Sequence, residues 1–263
     1  MREFLLSLAD RSDDERTVPR VRAYLDALGR PDMRYLVGIV RGGGAETVAR
    51  YARAVLVSAG ASVQGSDDTL DELLVARSGT VVAAIAYQLA STRRDLGEVS
   101  RREAEALLRF VAAAEANRRV LLMTDEAIAP FAPLNGVGPD VVAVAGEPHD
   151  LARAIADVPN GRLAVLSPRD PEGVADVERQ ARTRGVTLIV GGRDFTVGSA
   201  QGTMDLVVGD ERYPELALGA GDDSQLAATG IVTALAVGAF GVRMRPEWVE
   251  TGARRAAARE LER

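Results

Sequence analysis

The apolar positions of this chain fall into two kinds of run. Short, nearly unbroken stretches occur at Tyr35–Val40, Arg119–Thr124, Val141–Ala145, Leu163–Ser167 and Val186–Val190. They show no polar alternation, which predicts strands buried on both faces, as in a parallel sheet. Between them the apolar residues recur at helical spacing. Val18, Val21, Leu25 and Leu28 mark a helix over 14–29 that stops at Gly29 and Pro31, and Val48, Tyr51, Ala52, Val55 and Leu56 mark one running from Thr47 to a stop at Gly60. Ala61–Gly65 reads as a second short strand, and Ser66, Asp67 and Asp68 as the cap of the helix that follows. Leu70–Ala90 and a stretch from Ser100, whose capping box is completed by Glu103, predict two long helices.

Further along, Leu151–Asp157 and Pro171–Arg184 read as helices, the second closed by Gly185. Leu163–Ser167, the second helix and Val186–Val190 form a βαβ unit with parallel strands and a right-handed crossover. The glycine-scattered region 191–221 predicts a small hairpin with strands at Asp205–Val208 and Leu216–Leu218. Asp222–Gly241 reads as a helix, and Pro246–Glu250 as a short last one followed by a tail, 254–263, expected to fray or pack weakly. The expected architecture is a three-layer α/β domain over 14–253 with a mostly parallel central sheet, strand Leu36–Val40 near its middle, and an N-terminal arm or short helix over 1–13.

Composition narrows the function classes. At 263 residues the chain can bury a sizeable core. It holds no cysteine, which excludes disulfides and thiolate chemistry and fits a reducing, cytoplasmic setting. The net charge of -6 comes from interspersed charges, so no broad field recruits nucleic acid. No stretch reads as a membrane span. Ala, Val, Gly and Arg are abundant and Arg far outnumbers Lys, a pattern of GC-rich coding that says little about function.

The candidate chemistry sits after the first strand. Arg41 is followed by Gly42, Gly43 and Gly44 and then by the helix, a context in which backbone N–H groups cradle phosphate oxygens. A working phosphate loop also needs a lysine beside its last glycine and then a hydroxyl for magnesium. Thr47 supplies the hydroxyl, but Ala45 supplies no cation and Glu46 adds a negative charge. Nucleotide triphosphate binding, binding of another anion, and a degenerate turn serving the fold all remain open at this point. His149 and Asp150, after the Val141–Ala145 strand, are readable as half a metal site, an acid/base pair, or a cap. Asp67 and Asp68 are readable as a cation site or as that helix cap.

The phrase Leu28, Gly29, Pro31, the strand to Val40 and the loop Arg41–Thr47 resemble the Mur ligases, and among them the folylpolyglutamate synthases. That family typically shows a leucine-glycine-proline phrase, a strand, then G-T-N-G-K-G-S/T and a long helix. Arg30 is inserted before the proline. Arg41 stands for the loop's first glycine, Gly42 and Gly43 for its threonine and asparagine, Ala45 for its lysine and Glu46 for the next glycine, while Gly44 and Thr47 keep the family's residue types. Asn135, Pro139 and Asp140 match a later phrase. Asp125 and Glu126 lie near the family's magnesium glutamate, His149 and Asp150 invert an aspartate-histidine pair, and the segment of its modified lysine holds Asp157. Gln225 or Leu226 falls where an asparagine reads the adenine.

The resemblance implies an ATP-binding central domain, with Arg41, Gly42, Gly43, Gly44, Thr47 and Gln225 as the nucleotide-binding positions and Arg41 as the residue best able to replace the lysine. In the family a C-terminal domain follows such a unit, and the chain is expected to lack it. With the lysine missing and the metal ligands displaced, the expectation is a ligase-like fold with no catalytic or metal-binding residues and no cofactor, acting as a scaffold or subunit. The expected assembly is a homodimer or a complex with a larger Mur-like protein, helped by Phe4, Leu5 and Leu8. The alternatives are an ATP- and magnesium-dependent ligase completed by another polypeptide, and small-ligand binding in the former nucleotide cleft.

Overall fold

The computed structural model describes residues 25–26, 29–65, 107, 109–114, 118–124, 139–169, 174–200, 203–219 and 222–261. Its centre is a six-stranded sheet of β1 (Leu36–Gly42), β2 (Val63–Gly65), β3 (Val120–Thr124), β4 (Val141–Gly146), β5 (Leu163–Pro168) and β6 (Thr187–Val190). The order is β2-β3-β1-β4-β5-β6, and every neighbouring pair is parallel. The unbroken apolar runs are the cause. Val37, Ile39 and Val40 of β1, Val120 to Met123 of β3 and Val141 to Ala145 of β4 are all buried, so neither face of these strands is offered to water.

Helices cover both faces. α1 (Ala45–Ser58), α4 (Asp222–Gly238) and α5 (Pro246–Leu261) lie on one, and α2 (Pro148–Asp157) and α3 (Val174–Thr183) on the other, with the helical stretch 109–114. The chain runs outward from β1 toward β2 through α1 and in the opposite direction, from β4 to β6, through α2 and α3. Right-handed crossovers require those helices to sit on opposite faces. The strand order turns back at β1, so the cleft that such sheets use opens at the carboxyl end of β1, between β3 and β4.

The structure moves several expected boundaries. β1 runs on to Gly42, which places Arg41 and Gly42 in the strand, paired with Val144 and Ala145 of β4. α1 begins at Ala45 and α2 at Pro148, each earlier than the apolar spacing suggests. α4 stops at Gly238. The expected hairpin is a three-stranded antiparallel sheet, order β7-β8-β9, of β7 (Phe195–Ala200), β8 (Thr203–Val208) and β9 (Glu211–Leu216). The last helix does not stop near Glu250: α5 continues through the expected tail to Leu261 and buries Ala253 and Ala256 against the core of α1 and α4.

Most of the helix expected over 14–29, the helix over Leu70–Ala90, the Ser100–Glu103 capping box and the N-terminal apolar residues Phe4, Leu5 and Leu8 lie outside the described residues. Among the described residues no helix is long and apolar enough to cross a membrane.

Candidate functional site

The glycine loop is built by a tight turn from β1 into α1. Gly42 has φ 88° and Gly44 has φ 78°, backbone conformations that side chains other than glycine rarely adopt. Each also has a neighbour that a side chain would strike. A Cβ on Gly42 would run into the Ala145 carbonyl of β4, and one on Gly44 into the Leu226 side chain of α4. Gly43, between them, faces open space.

Gly44 is the N-cap of α1, with its carbonyl accepting the Val48 N–H at 3.1 Å and no side-chain cap. The first turn is therefore Ala45, Glu46 and Thr47. Glu46 is exposed at the positive end of the helix dipole, where a carboxylate stabilises the helix by about 0.3–1 kcal/mol. Thr47 and Arg41 are half-buried. The helix is anchored below this turn by Tyr51, whose hydroxyl donates to the Ala217 carbonyl at 3.0 Å.

Gln225 lies in the first turns of α4, but not on the glycine loop. Its Nε2 is 2.6 Å from where a Cβ on Gly191 would stand, so it packs on the backbone that leaves β6. The residue that reaches the loop is the next one, Leu226. The five loop positions Arg41, Gly42, Gly43, Gly44 and Thr47 thus come together, with Leu226 and Ala145 as neighbours, while Gln225 reaches Gly191. Beside Gln225 the turn after β6 is fixed by Asp194, which accepts the Val190 N–H at 2.8 Å and pairs with Arg193 at 2.7 Å. The Arg193 hydrogen bond, then the Val190 N–H, hold the Asp194 carboxyl below the ordinary value.

The second expected cluster, Gly146–Asp150, sits at the same end of the sheet. Pro148 opens α2, so His149 and Asp150 occupy its first turn, and their side chains lie outside the described residues, as do Asp67, Asp68, Asp125, Glu126, Asn135 and the Asp157 side chain. Glu147, ahead of α2, faces Arg169 at 3.8 Å in an exposed pair. Among the described residues no group of three or more His, Asp or Glu side chains is placed to hold a metal ion.

Asp140 proves to belong to the opposite end. Its Oδ2 accepts the Val37 N–H at 2.9 Å and its Oδ1 pairs with Arg162 at 3.0 Å, where β1, β4 and β5 begin. It is a staple of the sheet. Two further features matter to the loop. Leu226 is a tertiary contact, one that no local spacing announces. The other is compositional and plain in the sequence: all 32 Lys-plus-Arg residues are arginines, so no position of this chain supplies a lysine.

No protein-family model matches the chain, and no curated protein matches it. Solved structures do. The apo form of Lactobacillus casei folylpolyglutamate synthase superposes with a TM-score of 0.79 at 16% identity, covering 97% of this chain and 71% of that one. A folylpolyglutamate synthase complex with AMPPCP and folate gives 0.78 at 17% identity, over 97% of this chain and 71% of that one. The folylpolyglutamate synthase of Thermotoga maritima gives 0.72 at 17% identity, over 91% of this chain and 62% of that one. At these identities it is the architecture that is shared: the chain has an α/β fold, with a parallel six-stranded sheet between helices, matching the Mur ligase-like domain of folylpolyglutamate synthases.

Proposed function

We propose that this chain is a non-catalytic protein of Mur ligase-like fold that acts as a scaffold or as a subunit of a complex, pairing with itself or with a larger Mur-like protein in the cytoplasm. The observation that carries this reading is the first turn of α1. Phosphoryl transfer needs the phosphate charge neutralised as the group moves, by a cation and magnesium together. Where a phosphate loop places its lysine, this turn has Ala45, and next to it stands the carboxylate of Glu46. The helix end that attracts an anion already carries one. The arginine-only composition adds to this, since no neighbouring lysine of the same chain is there to take over.

The alternative, an ATP- and magnesium-dependent amide-forming ligase completed by another polypeptide, draws on the fold itself. A similar structure holds AMPPCP and folate, and another holds Mn, AMPPNP and L-glutamate. Titration calorimetry of the purified chain with ATP and magnesium separates the two readings. No saturable heat at micromolar ATP is expected. A micromolar Kd that is lost in Arg41→Ala would overturn the non-catalytic reading and make Arg41 the substitute for the lysine.

A further inference from the structure

We propose that β7 is a pairing strand through which two copies of this chain associate, antiparallel and centred on Gly198, so that their three-stranded sheets join into one of six strands. This rests on the scaffold reading only in naming the partner as a second copy, and its test does not involve nucleotide.

The phase of β7 follows from two hydrogen bonds. Phe195 stands opposite Val208 in the ladder to β8, and one step earlier the Asp194 carbonyl accepts the Gly209 N–H at 3.0 Å, so Asp194 faces β8. The Phe195 carbonyl accepts the Gly192 N–H at 2.8 Å on the other side. Backbone groups of successive strand residues point to opposite sides. Thr196 and Gly198 therefore bond to β8, and Val197 and Ser199 turn their N–H and C=O outward. At Phe195 the outward side is closed by the Gly191–Gly192 turn, with which it forms a parallel bridge. Beyond it no strand among the described residues pairs with this edge: Thr196, Gly198 and Ser199 are exposed, and a Cβ on Gly198 would meet nothing within 4 Å.

The two edges of this small sheet are unlike. β9 carries Glu211, Arg212, Pro214 and Glu215, and it is bent by an irregularity where Glu215 takes φ 55° and donates its N–H to Asp205 at 3.0 Å. Charge, proline and a bulge are the devices by which edge strands avoid other chains. β7, FTVGSA, has none of them.

A second copy is the occupant that matches. With Gly198 opposite Gly198 of the second copy, Val197 faces Ser199 of the second copy, and Ser199 faces its Val197. Each of these residues offers one donor and one acceptor, so all the outward groups of both strands pair across one two-fold axis. The Gly198 pair is the non-hydrogen-bonded one, where Cα atoms approach to about 4.5 Å. Two glycines suit that approach, and no like charges oppose each other. The contact is isologous and closes on itself.

Sedimentation equilibrium over a range of concentrations, with amide hydrogen exchange at both ends of the range, tests this. The expected mass rises from 27.8 kDa toward twice that value, and the Val197 and Ser199 amides exchange at least tenfold more slowly at high concentration. Gly198→Lys, which sets two ammonium groups at the axis and points into open space within one copy, is expected to hold the mass at 27.8 kDa with an unchanged circular dichroism spectrum. Ser199→Pro removes an outward N–H without touching the ladder to β8 and is expected to do the same. Should both variants misfold, the concentration dependence of the two wild-type amides decides alone. A monomer at every concentration overturns the proposal, and so does a dimer in which Val197 and Ser199 exchange freely.

Discussion

Replacing Asp140 tests whether a residue that matches a ligase phrase serves the cleft or the sheet. Its carboxylate holds the Val37 N–H at 2.9 Å, and Val37 is wholly buried. In Asp140→Ala that N–H loses its partner out of reach of water, at a cost of about 1–3 kcal/mol. The pair with Arg162 at 3.0 Å is partly exposed and adds roughly 0.5–1 kcal/mol. The backbone bonds at this point, from Asp140 N to the Val37 carbonyl at 2.8 Å and from Leu163 N to the Asp140 carbonyl at 3.3 Å, survive the change. The expected loss is therefore about 2–4 kcal/mol for Asp140→Ala. Asp140→Asn keeps an acceptor for Val37 and forfeits the charge pair, so about 1 kcal/mol is expected. Urea unfolding measures both, read as a shift in midpoint at constant slope. A loss below about 1 kcal/mol for the alanine variant, or equal losses for the two, would refute the staple. Because Asp140 stands at the opposite end of the strands from Gly42–Gly44, neither substitution is expected to alter binding of any ligand in the cleft.

Two further outcomes follow from packing and charge. A Cβ on Gly252 of α5 would come to 2.5 Å from the Val55 Cα of α1, whereas the atoms nearest one on Gly238 belong to the flexible Met244 side chain. Gly252→Ala should therefore lose about 1–3 kcal/mol in urea unfolding through overpacking, while Gly238→Ala stays within about 1 kcal/mol of wild type because the gain in helix propensity offsets the Met244 adjustment. Asp194, through Arg193 and the Val190 N–H, and Asp205, through Arg212 and the Glu215 N–H, both have carboxyls held below the ordinary 3.8. Their contribution is thus complete above that pH and is lost as pH falls through the depressed folded values, since the unfolded chain takes up protons first. Melting temperature should hold from neutral pH to about 5 and then drop below about 4, with a shallower drop in the Asp194→Asn, Asp205→Asn double variant. An identical acid limb would remove both carboxyls from the account.

The central sheet was legible because burial on both faces leaves a direct mark: β1 up to Val40, β3 up to Met123, β4 up to Ala145 and β5 up to Leu166 are unbroken apolar runs, and β6, though only its last residue is buried, carries one from Leu188 to Val190. α1 was legible through its stripe, and Val48, Tyr51, Ala52, Val55 and Leu56 are all buried. β9 was not, because ERYPEL carries charges and a proline, and what makes it a strand is distant: Asp205 holds the Glu215 N–H and pairs with Arg212. Only the start of α5, Pro246–Glu250, was read as helix, because the buried positions beyond it are small. Val249, Gly252, Ala253 and Ala256 follow helical spacing, but glycine and alanine bury by letting helices approach closely, not by bulk. The site was half legible. Sequence order placed Arg41–Thr47 between strand and helix, but that Leu226 and not Gln225 meets the loop depends on how α4 packs on α1.

The loop also separates what the fold requires from what a phosphate requires. Gly42 and Gly44 are demanded twice over, by positive φ and by the Ala145 carbonyl and the Leu226 side chain pressed against them. Gly43 faces open space and Glu46 is exposed, whereas Ala45 is half-buried and packs against the core beneath α1 and α4. Packing thus accounts for two of the three glycines and makes no demand on Gly43. Where a phosphate-binding loop carries its lysine and the glycine after it, this one carries the methyl group of Ala45 and the carboxylate of Glu46. Gly42 and Gly44 are thus explained as the turn that delivers α1 onto the sheet beneath α4, and Gly43 is the one glycine of the loop that these contacts do not call for.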